Sequence, residues 1–177
     1  MVVCYCKKIK LMKKLSAIIL CRANSKRLKN KHLKKIGKLS LIEIIINQFL
    51  KLKFVDEIYI AMGSKFRNEI YEIFLRKKYK KKIKFFYFKN ENLINNRIFN
   101  LTKKIKNKFL ITFSGDCPIV DRNFISKMVQ EFTKNDKFDT IKVKNCIVEG
   151  IDIFKTSSWK KINFYSKGSN KLLQNPA

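Results

Sequence analysis

Several features that would place the chain in a particular class of protein are missing from its sequence. No apolar run is long enough to cross a bilayer, because the longest, around Leu41 to Ile46, is interrupted by Glu43. The first residues lack an apolar stretch followed by a small-residue cleavage site, so we expect no signal peptide and a cytoplasmic location. These absences predict a protein whose partners do not include a membrane.

The cysteines follow no disulfide or metal-binding pattern. Their number is odd and no CxxC pair occurs, which argues against both a disulfide framework and a zinc site. We expect the cysteines to be reduced thiols, which is their usual state in the cytosol. The five residues are Cys4, Cys6, Cys21, Cys117 and Cys146.

Acidic residues are scarce: 13 carboxylates stand against 41 lysines and arginines, which gives a net charge of +28. A charge of this size is typical of proteins that bind nucleic acid, because cations neutralise phosphates and release counterions. Here the cations are mostly lysines spread evenly from Lys7 to Lys171, and the aromatic and glycine-rich motifs of nucleic-acid recognition are absent. We therefore expect no specific nucleic-acid partner, and keep a basic nucleic-acid-binding domain only as an alternative.

The chain has 177 residues, of which 46% are apolar, enough for one domain with a sizeable core. Strand-like and helix-like apolar patterns alternate along it, which predicts an α/β domain with a mainly parallel sheet. We assign this domain to residues 15–165, an N-terminal extension outside the domain to residues 1–14, and a polar tail to residues 166–177. Predicted strands are Leu15–Cys21, Val55–Met62, Ile83–Phe88, Lys108–Ser114, Phe138–Val143 and Ile151–Phe154. Predicted helices are Leu41–Leu52, Phe66–Tyr79, Leu93–Ile105, Asn123–Phe132 and Ser157–Ile162.

A strongly basic loop follows the first predicted strand. The stretch "RANSKRLKNK" brings Arg22, Ser25, Arg27 and Lys31 onto one short excursion. Arginine offers a planar fork of donors that fits phosphate oxygens, and lysine offers a mobile point charge. Small polar residues let backbone amides approach an anion closely. The combination suits a triphosphate, although composition alone equally allows a loop that is basic because the whole chain is basic.

A carboxylate follows the fourth predicted strand, in the stretch "FSGDCPIVD". Because the carboxyl ends of parallel strands meet at one edge of a sheet, Asp116 should face the same crevice as the basic loop. A hard oxygen ligand there suits Mg²⁺, which is held by one or two carboxylates and substrate phosphates. An aspartate after a strand is also common in turns, and we assign Asp121 the structural role of helix N-cap.

Taken in order, these segments resemble the cytidylyltransferases that activate acidic sugars, and most nearly the spore coat polysaccharide biosynthesis branch. That family shows A-R-x-x-S-x-R-L-x-x-K after an apolar strand, then a glycine and "PLIE" at the start of a helix. Later stretches that also look like the family's are "VDEIYIAMGS", "FKNENLINNRIF", "SGDCPIVDRNFI" and "EGIDIFKTSSWKKI". The matching residues of the first motif are Arg22, Ser25, Arg27, Leu28 and Lys31. The likeness covers about Leu15 to Ile162.

The resemblance implies a three-layer, Rossmann-like nucleotide-diphospho-sugar transferase fold with helices on both faces of the sheet. It implies transfer of CMP from CTP to the hydroxyl of an acidic sugar, such as a sialic acid or 3-deoxy-manno-octulosonate, for surface polysaccharide biosynthesis. Mg²⁺ would be the cofactor and a homodimer the expected assembly.

The resemblance also assigns roles to individual residues. Arg22, Lys31 and Asp116 would be the catalytic residues, with Asp116 holding Mg²⁺ and Asp152 acting as a second metal ligand or facing the sugar. An ordinary strand-edge carboxylate is an equally open reading of Asp152. The nucleotide-binding residues would be Arg22, Ala23, Asn24, Ser25, Arg27, Lys31, Ser64 and Arg97.

The chain departs from the family pattern in its first loop and in its length. Asn24 stands where the family usually has glycine, and Lys29–Asn30 replace a Pro–Gly pair, which predicts a looser loop. Family members commonly continue into a later histidine-containing segment and a dimer-forming region. The single histidine here, His32, lies in the first loop and is expected to be a bystander rather than a base. A shortened, inactive relative that binds only nucleotide or a partner is therefore a second hypothesis.

Overall fold

The computed structural model describes residues 13–23, 25, 27–90, 93–135, 137–142, 150–159 and 161, and all structural statements concern these residues. The strands are β1 (Leu15–Leu20), β2 (Lys35–Ile36), β3 (Leu39–Ser40), β4 (Val55–Met62), β5 (Lys84–Tyr87), β6 (Phe109–Ser114), β7 (Thr140–Lys142) and β8 (Ile151–Lys155). The α-helices are α1 (Leu41–Phe49), α2 (Lys65–Tyr79), α3 (Ile94–Thr102) and α4 (Arg122–Lys134). Short 3-10 turns lie at Lys31–Leu33 and Lys80–Lys82.

Six strands form one sheet in the order β5-β4-β1-β6-β8-β7. The first four run parallel, and β8 runs antiparallel to both β6 and β7. The predicted mainly parallel sheet is therefore confirmed. From β1 the chain moves outward to β4 and β5 and then returns to the other side of β1 to form β6. The gap between the ends of β1 and β6 is thus the topological switch point, where open α/β sheets bind ligands.

Helices cover both faces of the sheet, as the three-layer prediction requires. On one face, α1, α2 and α4 pack against the odd-numbered positions of β1 and form the larger core, which includes Ile46, Leu75 and Phe132. On the other face, α3 packs Ile98 and Leu101 against Ile18 of β1. Alternation of side chains along the strands therefore divides the core into two layers.

Helix α1 begins at the predicted cap. The Ser40 backbone N–H donates to Glu43 Oε2 at 2.8 Å, which completes the capping box. The helix ends at Phe49, three residues before the predicted end at Leu52. Before it, the region predicted as continuous loop contains the small antiparallel hairpin β2–β3, which turns at Gly37 with φ 63°.

Helix α2 has the predicted extent, but its apolar spacing lies on the outward side. Phe66 is 94% exposed, and Ile70, Ile73 and Phe74 are also exposed. The buried side consists of Asn68, Tyr71, Leu75 and Tyr79. Two of these residues, Asn68 and Tyr71, hydrogen-bond to the first loop, so polar contacts rather than apolar spacing decide which side of α2 faces inward.

Lys13 and Lys14, the last residues of the predicted extension, contact the domain through the carbonyls of Thr133 and Lys53. Residues 1–12, Val143, Ile162 and the tail 166–177 lie outside the described residues. In the part of the chain that the structure describes, no helix combines the length and apolarity needed to span a bilayer.

Candidate active site

A crevice opens where β1 and β6 end, and we call it the switch-point crevice. Its volume is about 150 Å³. Leu20 at the end of β1 is level with Ser114 at the end of β6, so the loops that follow these strands rise from the same place. The polar side chains that line the crevice are Arg22, Lys31, His32, Arg97, Ser114 and Asp116.

A buried asparagine of α2 hydrogen-bonds to the first loop. Asn68 Oδ1 accepts from the Ala23 backbone N–H at 2.8 Å, and Asn68 Nδ2 donates to the Ser64 carbonyl at 2.8 Å. The Asn30 N–H closes the loop by donating to the Ala23 carbonyl at 3.0 Å. Asn30 has φ 53°, in the left-handed region that asparagine tolerates, which explains how it replaces the glycine of the family pattern. The loop is therefore held in place without the Pro–Gly pair.

The turn after β6 passes so close to β1 that only glycine fits there. The Gly115 N–H donates to the Leu20 carbonyl at 2.9 Å. A Cβ at Gly115 would lie 2.5 Å from that carbonyl oxygen, 2.7 Å from Cys21 Sγ and 3.0 Å from His32 Cδ2. This close approach carries the next residue, Asp116, to the mouth of the crevice.

Asp116 is bound by two residues of the first loop. Lys31 Nζ lies 2.5 Å from Oδ2, and His32 Nε2 lies 2.8 Å from Oδ1. The hydrogen bond from His32, aided by Lys31, holds the pKa of Asp116 well below its usual range despite partial burial. The side chain of Asp116 is 50% exposed, so it is an ionised carboxylate with acceptor capacity left toward the crevice.

His32, which was expected to be a bystander rather than a base, is a buried and hydrogen-bonded residue of this site. The side chain is 1% exposed and joins Asp116 to α2, because Nδ1 lies 3.3 Å from the Tyr71 hydroxyl. Sequence reasoning missed this residue because its partners lie 39 and 84 residues away. Only its place beside Lys31 in the motif could have signalled it.

The other predicted nucleotide-binding residues differ in where they lie. Arg97 lines the crevice but is buried, and Nη1 donates to the Cys21 carbonyl at 3.2 Å, beyond the end of β1. The Ser25 side chain is buried inside the loop, with Oγ 3.5 Å from the Leu28 amide. Arg27 is exposed and lies outside the crevice lining, as does Ser64 before α2.

Three further predicted positions complete the comparison. Asn24 lies outside the described residues. Ala23 lines a neighbouring cavity of about 320 Å³, together with Asn30 and Arg67. Asp152 lies on β8 opposite Thr112, on the sheet face that carries α3 and outside the crevice lining. No group of three or more His, Cys, Asp or Glu side chains among the described residues is placed to hold a metal ion.

The fold is similar to those of several solved α/β structures. A cytidylyltransferase from Leptospira borgpetersenii superposes with a TM-score of 0.73 at 16% identity, covering 92% of this chain and 74% of that one. A CMP:2-keto-3-deoxy-manno-octonic acid synthetase in complex with CTP gives 0.68 at 13% identity, covering 90% and 84%. The 4-diphosphocytidyl-2C-methyl-D-erythritol synthase of Anaerococcus prevotii gives 0.66 at 17% identity, covering 90% and 79%. At these identities the likeness establishes the fold.

The chain belongs to the cytidylyltransferase family, because the model of the family described as Cytidylyltransferase matches residues 16–169. A curated relative, an uncharacterised protein of Methanocaldococcus jannaschii, is 31% identical over 137 residues. That match covers 76% of this chain and 54% of the relative, so the chain spans about half the length of the relative.

Proposed function

We propose that the protein transfers CMP from CTP to the hydroxyl group of an acidic sugar and releases pyrophosphate. The observation that carries the proposal is the meeting of Arg22, Lys31 and Asp116 at the switch-point crevice of a cytidylyltransferase-family chain. Two cations and an ionised carboxylate at a ligand-binding sheet edge are the charges that a nucleoside triphosphate requires.

The reaction needs the α-phosphorus held in line with the acceptor and negative charge neutralised on the leaving group. The sugar oxygen would bond to the α-phosphorus, the bond to the bridging oxygen of pyrophosphate would break, and the hydroxyl proton would leave to solvent. The guanidinium of Arg22 is exposed and can bind phosphate oxygens in pairs. Lys31 can move from Asp116 to the phosphates as a point charge. These residues act by positioning and charge stabilisation.

The residues present fit a Mg²⁺ ion that is bound mainly by the phosphates of the nucleotide. Asp116 offers an ionised, half-exposed carboxylate, and the described residues provide no all-protein cage. Asp116 would hold the ion. Asp152, the second carboxylate that the resemblance implies, lies outside the crevice lining and is not part of this proposal. When bound, such an ion supplies charge neutralisation across the phosphates.

The class of acceptor is proposed from the structural neighbours. One structural neighbour is named as a synthetase that joins CMP to 2-keto-3-deoxy-manno-octonic acid, a carboxylic sugar. Activation of such sugars would supply surface polysaccharide synthesis in the cytoplasm, and a homodimer remains the proposed assembly. Another neighbour is named for a methylerythritol product, so polyol phosphates are the alternative acceptors to be compared with acidic sugars.

The test is pyrophosphate release by the purified full chain with CTP, MgCl₂ and a panel of acidic sugars, neutral sugars and polyol phosphates. Arg22→Ala and Asp116→Asn should each reduce release about 100-fold or more, since single charge-stabilising groups contribute that much. The matched controls Lys51→Ala and Asp56→Asn, at exposed positions near the opposite edge of the sheet, should retain wild-type rates.

Other outcomes would support other functions. CTP binding without turnover on any acceptor would favour a relative that only binds nucleotide. Salt-sensitive binding to unrelated DNA that Arg22→Ala leaves unchanged would favour a nucleic-acid-binding domain.

A further inference from the structure

His32 is the most completely buried polar group at the switch-point crevice and bridges three parts of the fold. Its Nε2 lies 2.8 Å from Asp116 Oδ1, in the loop after β6. Its Nδ1 lies 3.3 Å from the hydroxyl of Tyr71, which is fully buried in α2. The same hydroxyl lies 3.4 Å from the Arg22 carbonyl, at the start of the first loop. The imidazole therefore connects Asp116 to α2, which in turn hydrogen-bonds to the first loop.

The partners of the ring determine which of its nitrogens carries a proton. Nε2 faces a carboxylate oxygen of Asp116 at 2.8 Å, and a carboxylate oxygen accepts hydrogen bonds. Nε2 must therefore carry the proton and donate it to Asp116 Oδ1. Nδ1 faces the Tyr71 hydroxyl at 3.3 Å, and that hydroxyl donates its one proton to the Arg22 carbonyl at 3.4 Å. Packing of the Tyr71 ring edge against the imidazole, with centroids 6.0 Å apart, further fixes the orientation.

Lys31 and His32 bind the same carboxylate but differ in their freedom to leave it. Lys31 Nζ stands at the end of a flexible four-carbon chain and lines the crevice, so phosphates that enter will compete with Asp116 for it. The His32 ring is buried, and Gly115 leaves no space beside it, because a Cβ there would lie 3.0 Å from Cδ2. Entry of an anion can therefore remove one of the two contacts to Asp116 but not the other.

We propose that His32 is a positioning residue that keeps the Asp116 carboxylate aimed into the crevice after the phosphates of the nucleotide draw Lys31 away. The role rests on the proposed function, because it assigns the competing anion to CTP. His32 acts through Asp116 and touches no substrate. Groups that orient a functional carboxylate in this way typically contribute 10- to 100-fold to metal affinity or activity.

A pair of substitutions separates positioning from packing. His32→Leu fills a similar volume but removes the donor, and it should lower kcat/KM for CTP about 10- to 100-fold. His32→Gln keeps an amide N–H near the position of Nε2 and should stay within a few-fold of wild type. Tyr71→Phe removes only the hydroxyl that orients the ring and should give an intermediate loss. Equal activity of the leucine variant and wild type would overturn the proposal, as would equal losses in the leucine and glutamine variants.

A spectroscopic measurement on the wild-type protein works without turnover and without any variant. His32 is the only histidine in the chain, so untagged ¹⁵N-labelled protein gives a single imidazole signal set in long-range ¹H–¹⁵N spectra. The proposal predicts a proton on Nε2 that is still protected from exchange after CTP and Mg²⁺ are added. An Nε2 that carries no proton, or loss of the Nε2 proton signal on addition of CTP, would overturn it. Absence of pyrophosphate release by the wild type would instead refute the proposed function, and the Nε2 proton would still decide whether His32 donates to Asp116.

Discussion

Replacing Gly115 with alanine adds one methyl group at the point where the loop after β6 touches β1. The new carbon would lie 2.5 Å from the Leu20 carbonyl oxygen and 2.7 Å from Cys21 Sγ. The carbonyl cannot move freely, because it accepts the Gly115 N–H at 2.9 Å. Overpacking of this kind costs about 1–3 kcal/mol. For a chain of this size the melting temperature should fall by about 2–12 °C.

The same substitution should affect the reaction more than the fold. Separation of the two loops moves Asp116 away from His32, since the added carbon would lie 3.0 Å from the imidazole. We expect pyrophosphate release to fall about 100-fold at temperatures where the variant remains folded, because small misplacements of reacting groups are that costly. Thermal denaturation and the release assay measure the two effects separately.

Gly37→Ala is the matched control. Gly37 has open space around it, but its φ of 63° makes alanine cost about 1–2 kcal/mol. That variant should lose stability and keep its rate. If Gly115→Ala kept both its rate and its stability within about 0.5 kcal/mol of wild type, the close approach of β6 to β1 would be refuted.

Three further predictions concern the scaffold. Phe66→Ser, at the exposed end of α2, should change the unfolding free energy by less than about 0.5 kcal/mol, whereas Leu75→Ala should lower it by about 2–5 kcal/mol. If denaturant titrations gave the reverse order, α2 would have to be rotated about its axis. Asp121→Ala should cost about 1 kcal/mol, because its carboxylate accepts two backbone N–H groups at the start of α4, and an unchanged denaturation midpoint would argue against that cap. Burial alone would raise the pKa of Glu43, but hydrogen bonds, chiefly from Lys78, hold this pKa below its ordinary value. The stability that the lowered pKa provides is present above the unfolded-state pKa and is lost as the pH falls through the folded-state pKa. Glu43→Gln should therefore flatten the acid side of the curve of stability against pH, and an unaltered acid slope would refute the pairing.

The sheet and the meeting of the two loops could be predicted from the sequence for a simple reason. The two central strands, Leu15–Leu20 and Phe109–Ser114, are buried on both faces, so they appear in the sequence as short, mostly apolar runs. Once these strands are parallel, Arg22 and Asp116 must emerge at one edge. The local caps at Ser40 and Asp121 were predictable because capping depends on residues within one helical turn.

The orientation of α2 could not be predicted, because it depends on contacts that are distant in sequence. Ile70 and Ile73 provide an apolar spacing, yet they lie outward. Asn68 lies inward because its side chain satisfies the Ala23 amide, 45 residues away. Tyr71 is inward for the same kind of reason. Periodicity identifies a helix, but long-range hydrogen bonds decide its rotation.

The hairpin β2–β3 and the role of His32 lay beyond sequence reasoning for different reasons. Two-residue strands carry no periodic signal, and only Gly37 marks the turn. A lone histidine in a basic loop has no pattern that reveals its partner. The bond from His32 to Asp116 exists because Gly115 lets two strand ends approach each other.

The central claim is that the switch-point crevice binds CTP, and nucleotide-dependent thermal stability tests it most directly. A nucleotide at about 100 times its dissociation constant adds about 2.7 kcal/mol, which for this chain length is a rise of about 5–11 °C in melting temperature. The account predicts such a rise with CTP and Mg²⁺, little change with ATP or GTP, and loss of the CTP effect in Arg22→Ala. Equal stabilisation by all three nucleotides, or none by CTP at saturating concentration, would contradict it.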